Sequence, residues 1–502
     1  MNIGIDPGNT YSLISYLNAQ GIPALFPDRY DADLFNTASV VSVQDNRALV
    51  GQAAEEAAGE SPKITVARFM KRHLGSDHSW TDSQGKSWPM SALLGLVFRK
   101  LLIDAQIFSH EPIESAVIAV PAHFNDTQRK ALLEAASIGG IPDAALLDEP
   151  AAVAMYYGVR QDKEQTLFVY DLGGGTFNAA VLQATPDGLY VLSSSGLPEM
   201  GGKIFDQHIR ETLLDYLRAE GAFQAAAEAE NDPVLWRTAE ELKIKIGRTP
   251  AGRISKTMFI GGYPLEFVLT RRQFEDMIGP DIEKTLQTCR QCLEAVSLGW
   301  NEIDRILLVG GSSLIPLVQA RIGEETNKPR GCIIMEQPQQ AVAYGAALHA
   351  AQLAGKNPDT PKLKQGCASQ SLGIMIHDKQ NEHPRFSPLI HRHSPLPATA
   401  KRTFFTNRPN QRRIVLELAQ AEGENAVPRS LGHFIFDGIQ NPRKNYPIEV
   451  TLTYNIDGTI VARAHDQVTG QEMEHTVTNP EQAAQADILK WREEVAKLTI
   501  NE

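Results

Sequence analysis

The chain has 502 residues, of which 42% are hydrophobic and 22% are charged, as in ordinary globular proteins of two or more domains. Its formal net charge of −12 at pH 7 argues against a nucleic-acid-binding protein, since such proteins usually carry a basic face. The sequence contains no run of about 18 apolar residues, so no membrane partner is expected. A predicted strand begins at Asn2 and leaves no room for a signal peptide, so we expect a cytoplasmic protein.

The first part of the chain, residues 1–355, alternates apolar strands with helical patterns. Strands are predicted at 116–120, 167–170 and 306–309, and helices at 128–138, 281–296 and 341–353. This alternation is typical of an α/β layer architecture. Four cysteines are too few for a disulfide framework. Cys289 and Cys292 have a C-x-x-C spacing within the 281–296 helix, and we interpret them as packing residues rather than as zinc ligands or a redox pair.

Three shorter regions follow. Residues 356–370 hold prolines, lysines and glutamines beside few apolar residues, which predicts a polar interdomain linker. Residues 371–478 alternate apolar and polar positions, for example over 414–418 and 448–454, which predicts the short strands of a β-sandwich. Residues 479–502 predict a short helix with Ile488, Trp491, Val495 and Leu498 on one face, and this face must pack on the same chain or on a partner.

Three glycine-rich turns each follow an apolar strand. They lie at 6–10 (DPGNT), at 171–176 (DLGGGT) and at 310–313 (GGSS). Glycine lets the backbone approach an anion closely, and successive N–H groups then form a phosphate-binding concavity. Asp6 and Asp171 open the first two turns, where a carboxylate suits a hydrated Mg²⁺ ion rather than a phosphate. The repeated acidic turn predicts a duplicated unit that clamps phosphates, and the P-loop pattern G-x-x-x-x-G-K-[ST] does not occur in the sequence.

These turns belong to a longer series of segments that resembles one known family. The series is 4–10 (GIDPGNT), 120–126 (VPAHFND), 148–152 (DEPAA), 170–177 (YDLGGGTF) and 308–311 (LVGG). In order and spacing it resembles the signature segments of the seventy-kilodalton heat-shock chaperones. The resemblance is specific over about residues 1–355 and looser to about 478. It implies an actin-like, two-lobed ATPase domain over 1–355, a peptide-binding β-sandwich over 371–478, and a short helix over 479–502 in place of the family's long helical lid.

The resemblance also implies roles for individual residues. The implied catalytic residues are Lys71, Glu149, Asp171 and Thr176, and the implied Mg²⁺-binding residues, acting through water, are Asp6 and Asp171. The implied ATP- or ADP-binding residues are Asp6, Gly8, Asn9, Thr10, Gly173, Gly174, Gly175, Gly201, Gly202, Glu240, Lys243, Gly310, Gly311 and Ser312. Lys71 would stabilise charge that develops on the γ-phosphate, while Glu149 and Thr176 would orient the attacking water. K⁺ is a further candidate cofactor.

Some of these roles have ordinary alternatives. Lys71 is also interpretable as a solvated lysine, Glu149 as a helix N-terminal glutamate, and Glu240 with Lys243 as a pair of surface charges. In the β-sandwich, Phe386, Phe404 and Ile414 match the family's apolar peptide pocket, and a core position is an equally good interpretation of each. The implied partner is an unfolded or extended polypeptide, together with co-chaperones.

The chain departs from the family pattern at several positions that bear on function. Asn178 stands in place of an aspartate near the metal, which predicts slow hydrolysis. Leu314, Gly247 and Gln339 replace polar or charged residues around the base, so nucleotide selectivity is open. The linker is polar rather than leucine-rich, and Ala145 replaces an arginine that engages J-domain partners, so coupling between the domains and contact with J-domain proteins are open as well.

Three functions are therefore weighed. The leading hypothesis is an ATP-dependent chaperone whose ATP binding and hydrolysis regulate peptide binding. The second is a nucleotide-binding, hydrolysis-poor scaffold or exchange partner of a fuller chaperone, which Asn178, Leu314 and the polar linker favour. The third is a small-molecule kinase of the same superfamily, which the presence of a C-terminal sandwich argues against.

Overall fold

The structure is a computed structural model that describes residues 1–61, 64–157, 163–230, 233–260, 262–357, 360–376, 384–422, 426–440, 442–455, 458–476 and 482–501. We call residues 1–157 the first lobe. Its strands are β1 Asn2–Pro7, β2 Tyr11–Leu17, β3 Pro23–Leu25, β4 Thr37–Ala38, β5 Val40–Gln44, β6 Arg47–Val50, β7 Ala67–Arg68, β8 Ser79–Thr81, β9 Ser87–Pro89, β10 Ser115–Val120 and β11 Ala144–Asp148, and its helices are α1 Gln52–Glu60, α2 Met90–Ser109, α3 Asp126–Gly139 and α4 Glu149–Tyr156.

Residues 163–357 contain a second α/β unit, whose part before residue 341 we call the second lobe. The strands are β12 Gln165–Leu172, β13 Phe177–Thr185, β14 Gly188–Leu197, β15 Arg253–Ile260, β16 Tyr263–Thr270, β17 Arg305–Val309 and β18 Ile333–Ile334, and the helices are α5 Gly202–Ala219, α6 Phe223–Ala229, α7 Pro233–Arg248, α8 Arg271–Glu294, α9 Pro316–Thr326 and α10 Ala341–Leu353. The strands and helices predicted for this part of the chain are confirmed, except that the helix predicted at 281–296 begins earlier, after the Thr270 capping box with Gln273.

The two lobes share one local arrangement of strands. In the first lobe β1 pairs antiparallel with β2 and parallel with β10. In the second lobe β12 pairs antiparallel with β13 and parallel with β17. The first two glycine-rich turns are the β1–β2 and β12–β13 connections, and the third follows β17, so the sheets bring all three to one cleft. These central strands are buried along most of their length, as sheets covered on both faces require.

Helix α10 returns from the second lobe to pack against β1 and α4. Small residues allow this approach. A Cβ atom on Gly4 would lie 2.2 Å from the backbone nitrogen of Ala347, and one on Gly345 would lie 1.8 Å from the carbonyl oxygen of Ala152. The alanine-rich helix therefore fixes the position of the strand that carries the first turn.

Most of the remaining strands form a two-layered sandwich, and three of them extend sheets of the lobes. The remaining strands are β19 Leu363–Cys367, β20 Ser371–Ile376, β21 Arg385–Ile390, β22 Pro395–Leu396, β23 Ala398–Phe405, β24 Arg413–Ala421, β25 Arg429–Asp437, β26 Pro447–Tyr454, β27 Ile460–Asp466, β28 Glu472–Thr476 and β29 Thr499–Ile500, with the helix α11 Gln482–Lys497. One sheet has the order β21-β20-β24-β25 and the other β23-β26-β27-β28. Their inner faces share one apolar core, as the alternation over 414–418 and 448–454 predicts.

The segment predicted as a polar linker contains a strand. Within 356–370, Leu363–Cys367 pairs parallel with β14 at the edge of the second-lobe sheet and antiparallel with β22. The side chain of Cys367 is buried against Ser194, with 3.4 Å between Sγ and Oγ. Main-chain pairing does not depend on side-chain polarity, which is why a polar sequence can extend the sheet.

The C-terminal helix lies on the first lobe. Over the residues that the structure describes, it does not cover the sandwich as a lid would. Helix α11 packs against α2 and α3 of the first lobe. Val495 and Leu498 are buried there, and Trp491 lies against Trp88 with ring centroids 5.0 Å apart. The apolar face that the sequence predicts is thus covered by the same chain. Residues 477–481, where that region begins, lie outside the described residues. No described helix is long and apolar enough to cross a membrane.

Candidate nucleotide site

A cleft of about 440 Å³ lies between the two lobes, within the size range of nucleotide and cofactor pockets. All three glycine-rich turns line it. The residues they contribute are Asp6, Gly8, Asn9, Thr10, Asp171, Gly173, Gly174, Gly175, Thr176, Gly310, Gly311 and Ser312. The structure thus brings together at one site the turn residues that the sequence singled out from three separate segments.

Glycine is required where the turns approach each other. A Cβ atom on Gly174 would lie 2.2 Å from Oγ1 of Thr10, so the second turn packs directly on the first. Gly310 has φ +84, and a Cβ there would lie 2.3 Å from the carbonyl oxygen of Leu172. The third turn is held to the second because Oγ of Ser312 donates to the carbonyl of Gly173 at 2.9 Å. The three backbones therefore form one rigid concavity of N–H groups suited to an anion.

Gly201 and Gly202 are not among the residues that line the cleft, but a Cβ on Gly202 would lie 3.0 Å from Oγ of the lining residue Ser312. The backbone N–H of Gly202 donates to the carbonyl of Gly173 at 3.0 Å. A Cβ on Gly201, where φ is +158, would lie 2.7 Å from that same carbonyl oxygen. The pair therefore supports the second turn and starts α5.

Lys71 and Glu149 form a buried ion pair on the floor of the cleft. Nζ of Lys71 lies 2.8 Å from Oε1 of Glu149, and the two residues are 4% and 5% exposed. This burial rules out the interpretation of Lys71 as a solvated lysine. Glu149 begins α4 directly after β11, and Pro150 in the first turn of the helix fixes its direction. Lys71 and Glu149 are therefore held in place by two separate segments of the chain, and both lie beside the acidic turns.

Asp6 and Asp171 share this floor with Glu149, so three carboxylates face one lysine. Burial raises the pKa of Asp6 to about 7, with Lys71 opposing the rise and Glu149 adding to it. Burial, then Glu149 and Asp6, raise the pKa of Asp171. This excess of negative charge suits a divalent cation. Among the described residues no group of three or more carboxylate, histidine or cysteine side chains is placed to hold a metal ion directly.

A hydrogen-bonded chain that the sequence analysis did not predict extends from Glu149 away from the cleft. The amide Nδ2 of Asn178 donates to Oε2 of Glu149 at 2.8 Å, and Nδ1 of His123 lies 2.8 Å from Oδ1 of Asn178. Because that oxygen accepts, Nδ1 of His123 carries the proton. Burial lowers the pKa of His123, which keeps the ring neutral with a bare Nε2. The substitution at 178 was noticed in the sequence, but nothing in the VPAHFND segment pointed to its histidine.

A second contact that the sequence did not reveal links the two lobes. Nζ of Lys203, in the second lobe, lies 3.6 Å from the ring centroid of Phe69 in the first. Phe69 has φ 58, a left-handed conformation unusual for an aromatic residue. Arg72 donates to the carbonyl of Gly175 at 2.5 Å. Phe69 and Lys203 are 134 residues apart in the sequence, and short-range sequence patterns do not encode such a contact.

The cleft lining also includes several apolar or uncharged residues, which suit the contact faces of a base and ribose. These are Ile244, Gly247, Leu314, Gln339 and Val342, and Glu240 and Lys243 line the cleft as well. Lys243 is committed to Asp206, with Nζ 2.8 Å from Oδ1. Lys243 therefore has a specific partner and is not part of an ordinary pair with Glu240 on the helix surface.

The three residues expected to bind peptide lie in the sandwich with unequal exposure. Ile414 is 8% exposed and belongs to the inner core. Phe404 is half-buried and packs against that core, and Phe386 is half-buried in β21. The neighbouring Phe405 is 61% exposed and was not singled out in the sequence. For Ile414 the core interpretation is therefore favoured.

The sandwich contacts the lobes near His123, the histidine that is hydrogen-bonded to Asn178. Nη2 of Arg392 donates to Oγ of Ser195 in β14 at 3.1 Å. The side chain of Gln420 accepts from the backbone N–H of Asp126 at 3.4 Å. Asp126 is three residues after His123. One short segment therefore contacts the sandwich and also supplies the histidine of the hydrogen-bonded series that leads to Glu149.

A comparison with protein-family models agrees with this geometry. The model described as Hsp70 protein matches residues 2–95 and 80–502 of the chain. Together these two matches span nearly the whole sequence, the α/β lobes and the sandwich alike. The chain therefore belongs to the Hsp70 family, whose members are ATPases that act as chaperones.

Proposed function

We propose that this protein is an ATP-dependent chaperone in which ATP binding and hydrolysis in the cleft regulate peptide binding by the β-sandwich. The observation that carries the proposal is the convergence of three glycine-rich turns with the buried Lys71–Glu149 pair. The domain boundaries proposed are 1–355, 356–370, 371–478 and 479–502. The proposed location is the cytoplasm, and the proposed partners are extended polypeptide and co-chaperones.

In this proposal the turns bind the phosphates through their backbone N–H groups. Lys71 places its positive charge toward the γ-phosphate, where it stabilises the charge that develops as the terminal bond breaks. Glu149 holds Lys71 and orients the attacking water, and Thr176 assists from the second turn. Mg²⁺, when bound beside Asp6 and Asp171, supplies electrostatic stabilisation of the phosphates, and K⁺ remains a candidate second cation.

A second candidate function is a hydrolysis-poor scaffold or nucleotide-exchange partner of a fuller chaperone. The observation that favours it is the amide of Asn178 bonded to Glu149. A carboxylate of Glu149 that donors hold at both oxygens has less freedom to accept a proton from water. Nucleotide binding is common to both functions, and turnover separates them.

The test is single-turnover ATP hydrolysis with purified protein and Mg²⁺, on wild type and the variants Lys71→Ala and Asp171→Asn. A matched control is Lys256→Ala, because Lys256 pairs with Glu241 at 2.6 Å on the second lobe, away from the cleft floor. Hydrolysis that both cleft variants abolish and the control retains supports the ATPase, and stimulation by an unfolded peptide then tests the chaperone. Tight ATP binding without hydrolysis contradicts the active chaperone and supports the scaffold.

A further inference from the structure

The last described residues of the chain are built into the first lobe. Leu498 and Ile500 are buried in the same core as Val41 and Val50. Thr499–Ile500 forms β29, which pairs parallel with β6 and extends the sheet β6-β5-β7 by one strand. A segment from the far end of the sequence therefore completes a sheet that begins near its start.

Asn501 locks this added strand in place. Its Oδ1 accepts from the backbone N–H of Val50 at 2.8 Å, and its Nδ2 donates to the carbonyl of Val50 at 2.9 Å. The side-chain amide thus reproduces the two hydrogen bonds of a paired strand residue. Its own backbone N–H donates to the carbonyl of Ala48 at 3.0 Å. Such paired bonds fix the register of a strand that is two residues long.

Arg29 joins the C-terminal strand to a buried charge cluster. Its Nη2 donates to the carbonyl of Ile500, and its Nε lies 3.9 Å from Oδ1 of Asp104. Asp104 pairs with Lys100 at 2.5 Å, and Lys100 also pairs with Asp28. Lys100 and Asp104 are each 1% exposed, so this cluster is rigid and its members cannot turn to water.

The cluster is the base of a loop that reaches the nucleotide cleft. Asp28 Oδ1 accepts from the backbone N–H of Tyr30 at 2.8 Å, and the Asp28 N–H donates to the carbonyl of Leu34 at 2.7 Å. Residues 33–36, at the far side of this loop, line the cleft beside Tyr11. A continuous set of bonds therefore connects the C-terminal strand, Arg29, the loop 28–36 and the nucleotide pocket.

We propose that Arg29 is a positioning residue, through which the C-terminal strand holds the loop 28–36 against the nucleotide cleft. In this arrangement the C-terminal segment stabilises the nucleotide-binding unit from within and is not an appendage of the sandwich. The inference rests on the proposed nucleotide site for its effect on affinity. Its effect on the order of the loop is independent of any ligand.

The test compares Arg29→Ala and Asn501→Ala with Arg99→Ala. Arg99 is the matched control, because it also donates to a carbonyl of the C-terminal segment, that of Ala496 at 3.4 Å, but from α2 and away from the loop. Amide hydrogen exchange of the nucleotide-free full chain reports the loop through the bonded N–H groups of Tyr30 and Leu34. A titration with fluorescently labelled ADP and Mg²⁺ reports affinity, and a thermal melt reports folding.

We expect exchange at Tyr30 and Leu34 to accelerate about tenfold in Arg29→Ala and Asn501→Ala, and ADP affinity to weaken about fivefold, with the control unchanged. Unchanged loop exchange in both variants, or an equal change in Arg99→Ala, overturns the inference. If Arg29→Ala does not fold, Asn501→Ala at the edge of the sheet carries the same comparison. Faster loop exchange in a protein whose wild type binds no ADP upholds the positioning of the loop and overturns the proposed nucleotide function.

Discussion

The amide of Asn178 donates to Oε2 of Glu149 at 2.8 Å, while Oε1 of the same carboxylate accepts from Lys71 at the same distance. Both oxygens of Glu149 are therefore held by donors from different strands and helices. Asn178 is 1% exposed, so its amide is shielded from bulk solvent and its bonds are internal to the protein. The orientation of the carboxylate depends on that amide, and the orientation of the amide depends on His123.

The first prediction concerns this dependence. In His123→Phe the amide of Asn178 loses the donor to its oxygen, so under the ATP-dependent chaperone proposal single-turnover hydrolysis should fall about fivefold to tenfold, the value of one hydrogen bond, while ADP affinity is retained. A rise in hydrolysis would instead support the hydrolysis-poor candidate, in which this bond hinders Glu149. A double-mutant cycle with Asn178→Ala measures the coupling, expected at about 0.5–3 kcal/mol of activation free energy. Additive effects of the two substitutions would show that the histidine acts independently of the amide.

The second prediction concerns the buried pair itself. Glu149→Gln leaves Lys71 without its carboxylate partner, so hydrolysis should fall by a factor of about 10²–10⁴. The nucleotide-free protein should lose about 1–3 kcal/mol of unfolding free energy in urea titrations. Glu241→Gln is the control, since the side chain of Glu241 is 44% exposed in its pair with Lys256 and such pairs contribute about 1 kcal/mol or less. Equal losses in the two variants would contradict a catalytic role for Glu149.

The sequence predicted the cleft well because its turns are local. Asp6 and Asp171 are each followed by glycines on a tight connection, and such a turn has the same chemistry wherever the sheet places it. The apolar strands before them also fixed the α/β character of the lobes. What local patterns do not encode is contact between distant segments. Examples are Phe69 against Lys203, and Arg29 against the carbonyl of Ile500.

The same distinction explains where the C-terminal regions differ from expectation. A polar composition over 356–370 predicted a linker, but strand pairing uses main-chain groups that composition does not report. The apolar face of 488–498 predicted burial, and the side chains of Trp491, Val495 and Leu498 are indeed packed. The surface that covers this face is formed by Trp88 and its neighbours in the first lobe, about 400 residues earlier. The helical pattern alone therefore does not predict which surface that is.

The third prediction is a pH dependence of stability. Burial raises the pKa of Asp206 from 3.8 to about 6, although Lys243 opposes the rise. Because the folded protein holds this proton more tightly than the unfolded chain, the contribution to stability is complete below about pH 4 and is lost as the pH rises through 6. Relative to Asp206→Asn, nucleotide-free wild type should therefore lose roughly 3 kcal/mol of unfolding free energy across this range in urea titrations.

A second variant checks the cause of that pH dependence. In Lys243→Met the cation that lowers the pKa of Asp206 is gone, so the loss of stability should extend to higher pH than in wild type. Parallel stability curves for wild type and Asp206→Asn between pH 4 and 7 would show that burial of this carboxyl has no such effect.

The fourth prediction concerns the contact of Lys203 with Phe69 between the two lobes. Nζ of Lys203 lies 3.6 Å from the Phe69 ring centroid, so the cation joins the two lobes that border the proposed nucleotide cleft. A cation–π contact of this kind contributes about 0.5–2 kcal/mol, so Phe69→Leu should release fluorescent ADP roughly 2–30 times faster in a stopped-flow chase. Lys256→Gln, within the second lobe, should leave the release rate unchanged.

The charge of Lys203 gives this prediction a second measurement. Burial lowers the pKa of Lys203 to about 8, with Arg72 adding to the effect. As the pH rises through 8 the amine loses its proton and the attraction to the ring fades. Release from wild type should therefore accelerate between pH 7 and 9, whereas release from Phe69→Leu should change much less over the same interval. If both proteins accelerate equally, the contact does not restrain the lobes and nucleotide release is governed elsewhere in the cleft.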